Sequence, residues 1–149
     1  AAVRPLVCEH RGPEEVPEEV PARVQRVARE AVKQSGRAWL PRFQAATPAT
    51  ELLKHVEVPR LAVLDPSGAL SLDSWLHSLQ PSPAGYGTEG RPIVFAVGPE
   101  GGFSEAELGA WRDAGVGVVR LGPFVLRIET AAEAAMAAAG MLFGRTLAR

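Results

Sequence analysis

Residues 93–108 read IVFAVGPEGGFSEAEL, and the way this stretch divides decides the fold. Ile93 to Val97 is an unbroken apolar run of strand length, the pattern of a strand buried on both faces. Ser104 and Glu107 have the S-x-x-E form of a capping box, so a helix starts there and runs to about Ala114, with Gly115 as its stop. Between them, Gly98-Pro99-Glu100-Gly101-Gly102 is a nearly bare backbone at the end of a strand.

The same alternation extends in both directions. Val3 to Cys8 reads as a short buried strand and Pro13 to Glu19 as a loop. Pro21 to Ser35 has helical spacing, with an apolar stripe of Val24, Val27, Ala28 and Ala31, and Gly36 as its stop. Arg60 to Leu64 is a second buried strand ended by the turn sequence Asp65-Pro66-Ser67-Gly68. Ser71 to Leu79 reads as a short helix capped by Ser71, and Gln80 to Arg91 as a Pro/Gly-rich inserted loop. Val116 to Leu121 is a further strand, followed by a loop and an Ala-rich helix from Thr130 to about Leu147. Near-continuous apolar strands alternating with helices predict an α/β fold with a mostly parallel sheet covered by helices on both faces.

Composition narrows the function classes. The chain of 149 residues carries a net charge of −1, so nucleic-acid binding would need a local basic patch. Arg26, Arg29 and Lys33, continued by Arg37, form such a stripe on the predicted first helix, which is either a solvated face or a phosphate-facing one. Cys8 is the single cysteine, which excludes an internal disulfide and agrees with a reducing compartment. Three dispersed histidines make no metal-ligand spacing, and no apolar run is long enough to span a bilayer.

Two loops follow strand ends: Gly98 to Gly102, and Leu121 to Thr130 (LGPFVLRIET). Ligands of open α/β sheets bind outside the carboxyl ends of the strands, so both loops are expected at one crevice. The first loop has neither dinucleotide nor polyphosphate spacing, lacks a lysine and carries Glu100, which opposes an anion. A nucleotide-binding module is therefore the weaker reading. In the second loop Arg127 either pairs locally or holds a phosphate or polar substrate edge, and Glu129 sits near the positive end of the last helix.

VGPEGGFSEAEL followed by LGPFVLRIETAA resembles the two signature segments of the RsmE-type 16S ribosomal RNA uridine-N3 methyltransferases of the SPOUT superfamily. AREAVKQSGR (Ala28 to Arg37) and LAVLDPSG resemble two further family segments, so the likeness spans almost the whole chain. The resemblance implies a C-terminal deep trefoil knot whose loops hold S-adenosylmethionine. By position, the cofactor-binding residues would be Leu64, Asp65, Gly98, Pro99, Glu100, Gly101, Gly102, Leu121, Gly122, Pro123, Val125, Leu126, Thr130 and Ala131. The bare glycines would then permit threading and close approach to adenine.

The implied reaction is methyl transfer to uridine N3 in small-subunit ribosomal RNA, with Arg127 holding substrate or stabilising charge and Glu129 orienting it. Arg26, Lys33 and Arg37 would contact RNA, and no metal is required. The resemblance further implies a homodimer; no membrane partner is expected, and the location is expected to be cytoplasmic, with an organellar one as the alternative. The family also carries an N-terminal PUA-like RNA-binding domain. Residues 1–149 are accordingly expected to be a SPOUT-like methyltransferase domain incomplete at its N-terminus. Phe124 stands where the family pattern has arginine, which keeps open a catalytically weakened or inactive SPOUT domain serving as a ribosome-associated or structural component.

Overall fold

The computed structural model describes residues 2–10, 20–36, 38–79 and 92–143. The loops expected at 13–19 and 80–91, Arg37, and the end of the last helix beyond residue 143 lie outside the described residues.

In chain order the elements are β1 (Ala2–Val3), β2 (Leu6–Val7), α1 (Ala22–Ser35), β3 (Arg42–Phe43) and β4 (Thr47–Pro48). Two 3₁₀ turns follow, Ala49–Lys54 and Val58–Arg60. Then come β5 (Leu61–Leu64), β6 (Leu70–Ser71), α2 (Leu72–Ser78), β7 (Val94–Val97), α3 (Glu105–Asp113), β8 (Gly117–Arg120) and α4 (Ile128–Phe143).

The main sheet has the order β6-β8-β5-β7, and every pair in it is parallel. The central strand β5 is buried along its length, and its alternation sorts two cores. Leu61 and Val63 join Ala96, Phe103, Leu108, Trp111 and Val118 on one face. Ala62 and Leu64 join Leu72, Trp75, Leu76, Val119, Ala131 and Ala135 on the other. A period of two along β5 thus supplies both layers, and the helices cover both faces as the sequence predicts.

The helix starts follow from local hydrogen bonding. Ser71 Oγ accepts from the Ser74 N–H at 3.1 Å. Ser104 Oγ accepts from the Glu107 N–H at 3.2 Å, while the Glu107 carboxylate accepts from the Ser104 N–H at 2.8 Å. The predicted capping box is therefore closed in both directions. Gly36 ends α1 in a left-handed conformation, with φ of 65°.

Three expectations need correction. Val3 to Cys8 is not one buried strand: it splits into β1, paired with β3, and β2, paired with β4. Ala2 pairs with Arg42 but Leu6 pairs with Thr47, so the partner segment carries one extra residue between the two ladders. Pro5, without an N–H, sits at this break and only accepts a bond, from the Thr47 N–H. Val3 and Val7 are exposed, and Cys8 is the buried side chain of the segment. The apolar stripe of α1 is not a core face either, because none of the helix is buried and Val24 and Val27 face solvent. Finally, α4 begins two residues earlier than Thr130, with the Ala131 N–H donating to the Arg127 carbonyl at 2.8 Å.

Candidate functional site

The carboxyl ends of β5, β7 and β8 lie side by side because β5 pairs with both of the others. β7 and β8 flank β5 on opposite sides, so the chain leaving them turns in different directions, which opens a crevice at that end. There the structure has a cavity of about 500 Å³, within the usual range for a small-molecule site.

Both predicted loops reach it. Leu64 and Asp65 from the end of β5, Gly98 through Gly102 after β7, and Leu121, Gly122, Val125, Leu126 and Ala131 around β8 and α4 all line the cavity. Arg127 lines it as well, as does Phe124. Pro123, Thr130 and Glu129 are not among the lining residues; Glu129 stands in the first turn of α4. Arg26 and Lys33 lie on α1 away from the cavity, and the Lys33 ammonium pairs with Glu30 at 2.9 Å on an exposed surface.

Val97 and Phe103 also line the cavity and were not expected there, whereas Ile128 falls within the Leu121 to Thr130 loop expected at the crevice. Phe103 had a legible signal: it directly precedes the N-cap Ser104 and shares a buried cluster with Leu108, the pairing of a hydrophobic staple. Its ring meets Trp111 edge-on, with centroids 4.7 Å apart.

Each glycine of the first loop has a local reason. A Cβ on Gly98 would stand 3.1 Å from the Phe103 ring, and one on Gly101 would stand 3.1 Å from the His10 Cβ. Gly102 has φ of 72°, where side chains are strained, and its N–H donates to the Pro99 carbonyl at 2.8 Å. The bareness of Gly98 and Gly101 lets the loop fit against Phe103 and His10. His10 Nδ1 donates to the Gly101 carbonyl at 3.2 Å, tying the start of the chain to the cavity wall. Next to it, the Glu9 N–H donates to the buried Glu107 carboxylate at 3.1 Å.

The wall at β5 is built differently. Asp65 Oδ1 accepts from both the N–H and the hydroxyl of Ser67, an Asx-type turn. The Asp65 N–H donates to the Val119 carbonyl at 3.0 Å, which bolts the turn to β8. Arg120 donates to the carbonyls of Gly68 and Ala69 at 2.8 and 2.7 Å. Among the described residues, no group of three or more His, Cys, Asp or Glu could hold a metal ion.

The walls are mostly aliphatic, with Asp65, Glu100 and Arg127 as the charged lining side chains. That donor set suits an uncharged ring system with cationic ends better than a polyphosphate. A family model for the RNA methyltransferase domain matches residues 3–140. The chain belongs to that family.

The relatives of this methyltransferase domain agree with the resemblance carried by its two signature loops. It is 53% identical over 53 residues to the ribosomal RNA small subunit methyltransferase E of Mycobacterium tuberculosis (strain CDC 1551 / Oshkosh). That aligned stretch is 36% of this chain and 20% of the relative. The ribosomal RNA small subunit methyltransferase E of Neisseria gonorrhoeae, solved with S-adenosyl methionine bound, superposes with a TM-score of 0.67 at 29% identity. The superposition covers 95% of this chain and 55% of that one. A Legionella pneumophila protein solved with bound SAM superposes with a TM-score of 0.73 at 24% identity, covering 95% of this chain and 55% of the other, and so shares the fold. The methyltransferase domain therefore spans about half the length of these solved relatives.

Proposed function

We propose that this chain is an S-adenosylmethionine-dependent methyltransferase that acts on uridine N3 in small-subunit ribosomal RNA. The observation that carries the reading is the cavity at the ends of β5, β7 and β8, which gathers twelve of the fourteen residues named from the family segments. Its size and its pairing of aliphatic walls with carboxylates fit S-adenosylmethionine, whose amino and sulfonium groups are cationic.

The bound cofactor supplies an electrophilic methyl group. The chain's own task is to hold both reactants in line and to favour the uridine anion. Backbone groups of Gly98–Gly102 and Leu121–Gly122 are proposed to take the polar edges of the cofactor, with Asp65 and Glu100 facing its cationic ends. Positioning of this kind can lower the barrier by roughly 7–11 kcal/mol. Uridine must pass its N3 proton to solvent, and a guanidinium would stabilise the resulting charge on the exocyclic O2 and O4 of the base. Arg127 is proposed for that role, with Glu129 orienting it from the first turn of α4 and Thr130 and Pro123 supporting the loop from outside the cavity.

Arg26 and Lys33 are proposed to contact RNA phosphates. The exposed Lys33–Glu30 pair contributes little and gives way readily to a phosphate. Threading of the segment around β8 as a trefoil knot and pairing of two copies complete the proposal. The exposed Met141 near the end of α4 offers an apolar side chain to a second copy. Among the described residues no helix is long and apolar enough to cross a membrane, and a cytoplasmic location is proposed, with an organellar one as the alternative.

Calorimetric titration with S-adenosylhomocysteine, followed by methylation of small-subunit RNA read out as a reverse-transcription stop, tests the proposal. Binding with a stop at a uridine is expected. Binding without transfer would favour a non-catalytic ribosome-associated domain instead, and absence of binding would refute the cofactor assignment.

A further inference from the structure

Phe124 is the least expected residue of the cavity wall. It lines the cavity yet is 79% exposed, and the adjacent Val125 is 80% exposed. An aromatic ring held open to water at the mouth of a site forgoes its hydrophobic gain on folding, which for such a side chain is about 1.5–3 kcal/mol. On the same loop Gly122, where a Cβ would meet open space, and Arg127 line the cavity with Phe124.

We propose that Phe124 is a stacking platform for an unstacked pyrimidine of the RNA substrate, holding the base at the cavity mouth with Arg127 on the same loop. The inference rests on the methyltransferase reading, and it supplies what that reading needs. A nitrogen on the pairing edge of a base becomes reachable only when the base is splayed out of its helix, at a cost of a few kcal/mol. Single-stranded RNA is recognised by aromatic side chains that take up the freed base. A phenyl ring does this by π-stacking without a charge, so its contribution is insensitive to salt, whereas an arginine at this position would act on the backbone or base as a cation. Stacking accounts for an apolar ring beside a polar reaction site without requiring the site to be inactive.

The test compares the unaltered chain with Phe124→Ala, Phe124→Trp and Phe124→Arg, using a single-stranded oligouridine as probe and S-adenosylhomocysteine as the control ligand. Because the ring is mostly exposed, all three variants should keep the melting temperature of the unaltered chain. Phe124→Ala is expected to weaken oligouridine binding roughly tenfold or more, with S-adenosylhomocysteine affinity unchanged. Phe124→Trp should retain binding, and its added indole fluorescence should be quenched by the oligonucleotide. Phe124→Arg should bind with a steeper dependence on salt, by about one unit of log–log slope. A loss of S-adenosylhomocysteine affinity in Phe124→Ala would overturn the inference by assigning the ring to the cofactor. A change of oligomeric state on the same substitution would overturn it by assigning the ring to a subunit contact. Equal oligouridine affinity in the unaltered chain and Phe124→Ala, or no affinity in either, would also end it, even where S-adenosylhomocysteine binding upholds the enzyme reading.

Discussion

Gly68 lies against the backbone of Val119: a Cβ on this glycine would stand 2.6 Å from the Val119 carbonyl carbon. The turn after β5 therefore passes β8 at a distance no side chain permits, and the Arg120 guanidinium seals the crossing by donating to the Gly68 and Ala69 carbonyls. Because Asp65 lines the cavity from the same turn, this contact sets one wall of the site.

Gly68→Ala should accordingly destabilise the fold by about 1–3 kcal/mol, the usual cost of overpacking. The atoms in the way are backbone and have no rotamer to escape into. Urea denaturation reads the loss directly. An unchanged midpoint would show that the turn can lift off β8, and the wall at Asp65 would then be adjustable.

Glu107→Ala should cost about 2–4 kcal/mol, since it strips the acceptor from two backbone donors, Ser104 N–H and Glu9 N–H, at a buried position. Glu107→Gln keeps one oxygen acceptor and should cost less. The same substitution loosens the segment bearing His10, which holds the Gly101 carbonyl. Hydrogen exchange should therefore rise at Glu9 and at the amides of Gly101 and Gly102, beyond α3 itself.

Gly117→Ala drives a methyl group to 2.7 Å from Nε1 of the buried Trp75. The indole must shift, and Trp75 packs edge-on against Phe95 at 6.1 Å. A destabilisation of about 1–3 kcal/mol with a changed tryptophan emission maximum is expected; an unaltered spectrum would contradict the packing described.

Arg127→Ala should lower methyl transfer roughly a hundredfold while leaving S-adenosylhomocysteine binding largely intact. Arg127→Lys should recover only part of the rate, because a compact ammonium does not reproduce the planar fork. Single-turnover kinetics at saturating cofactor separate these effects. Full activity in Arg127→Ala would remove the residue from the mechanism.

Met141→Glu tests the α4 surface around Met141. Met141 is 87% exposed, so the substitution should not affect folding of the single chain. Sedimentation should shift from dimer towards monomer if a second copy covers this helix, and an unchanged dimer would place the subunit contact elsewhere.

Features that depend on neighbours in the chain were legible in the residues alone. The S-x-x-E pair at Ser104 and Glu107, the Ser71 cap, the Gly36 stop and the short apolar runs of β5, β7 and β8 each act over a few residues. Their hydrogen bonds and side-chain periods need no distant partner. The crevice was legible too, because loops that follow parallel strands must emerge at one end of the sheet. What the residues could not reveal was which surfaces meet. The stripe on α1 has the period of a core face but is left exposed, and the strand expected at Val3 to Cys8 breaks where its partner gains a residue. Gly68 looked like a turn residue, and only its approach to a strand some fifty positions later makes it a crossing point. Periodicity specifies the shape of a segment, whereas packing depends on steric and solvent terms between segments that no local pattern records.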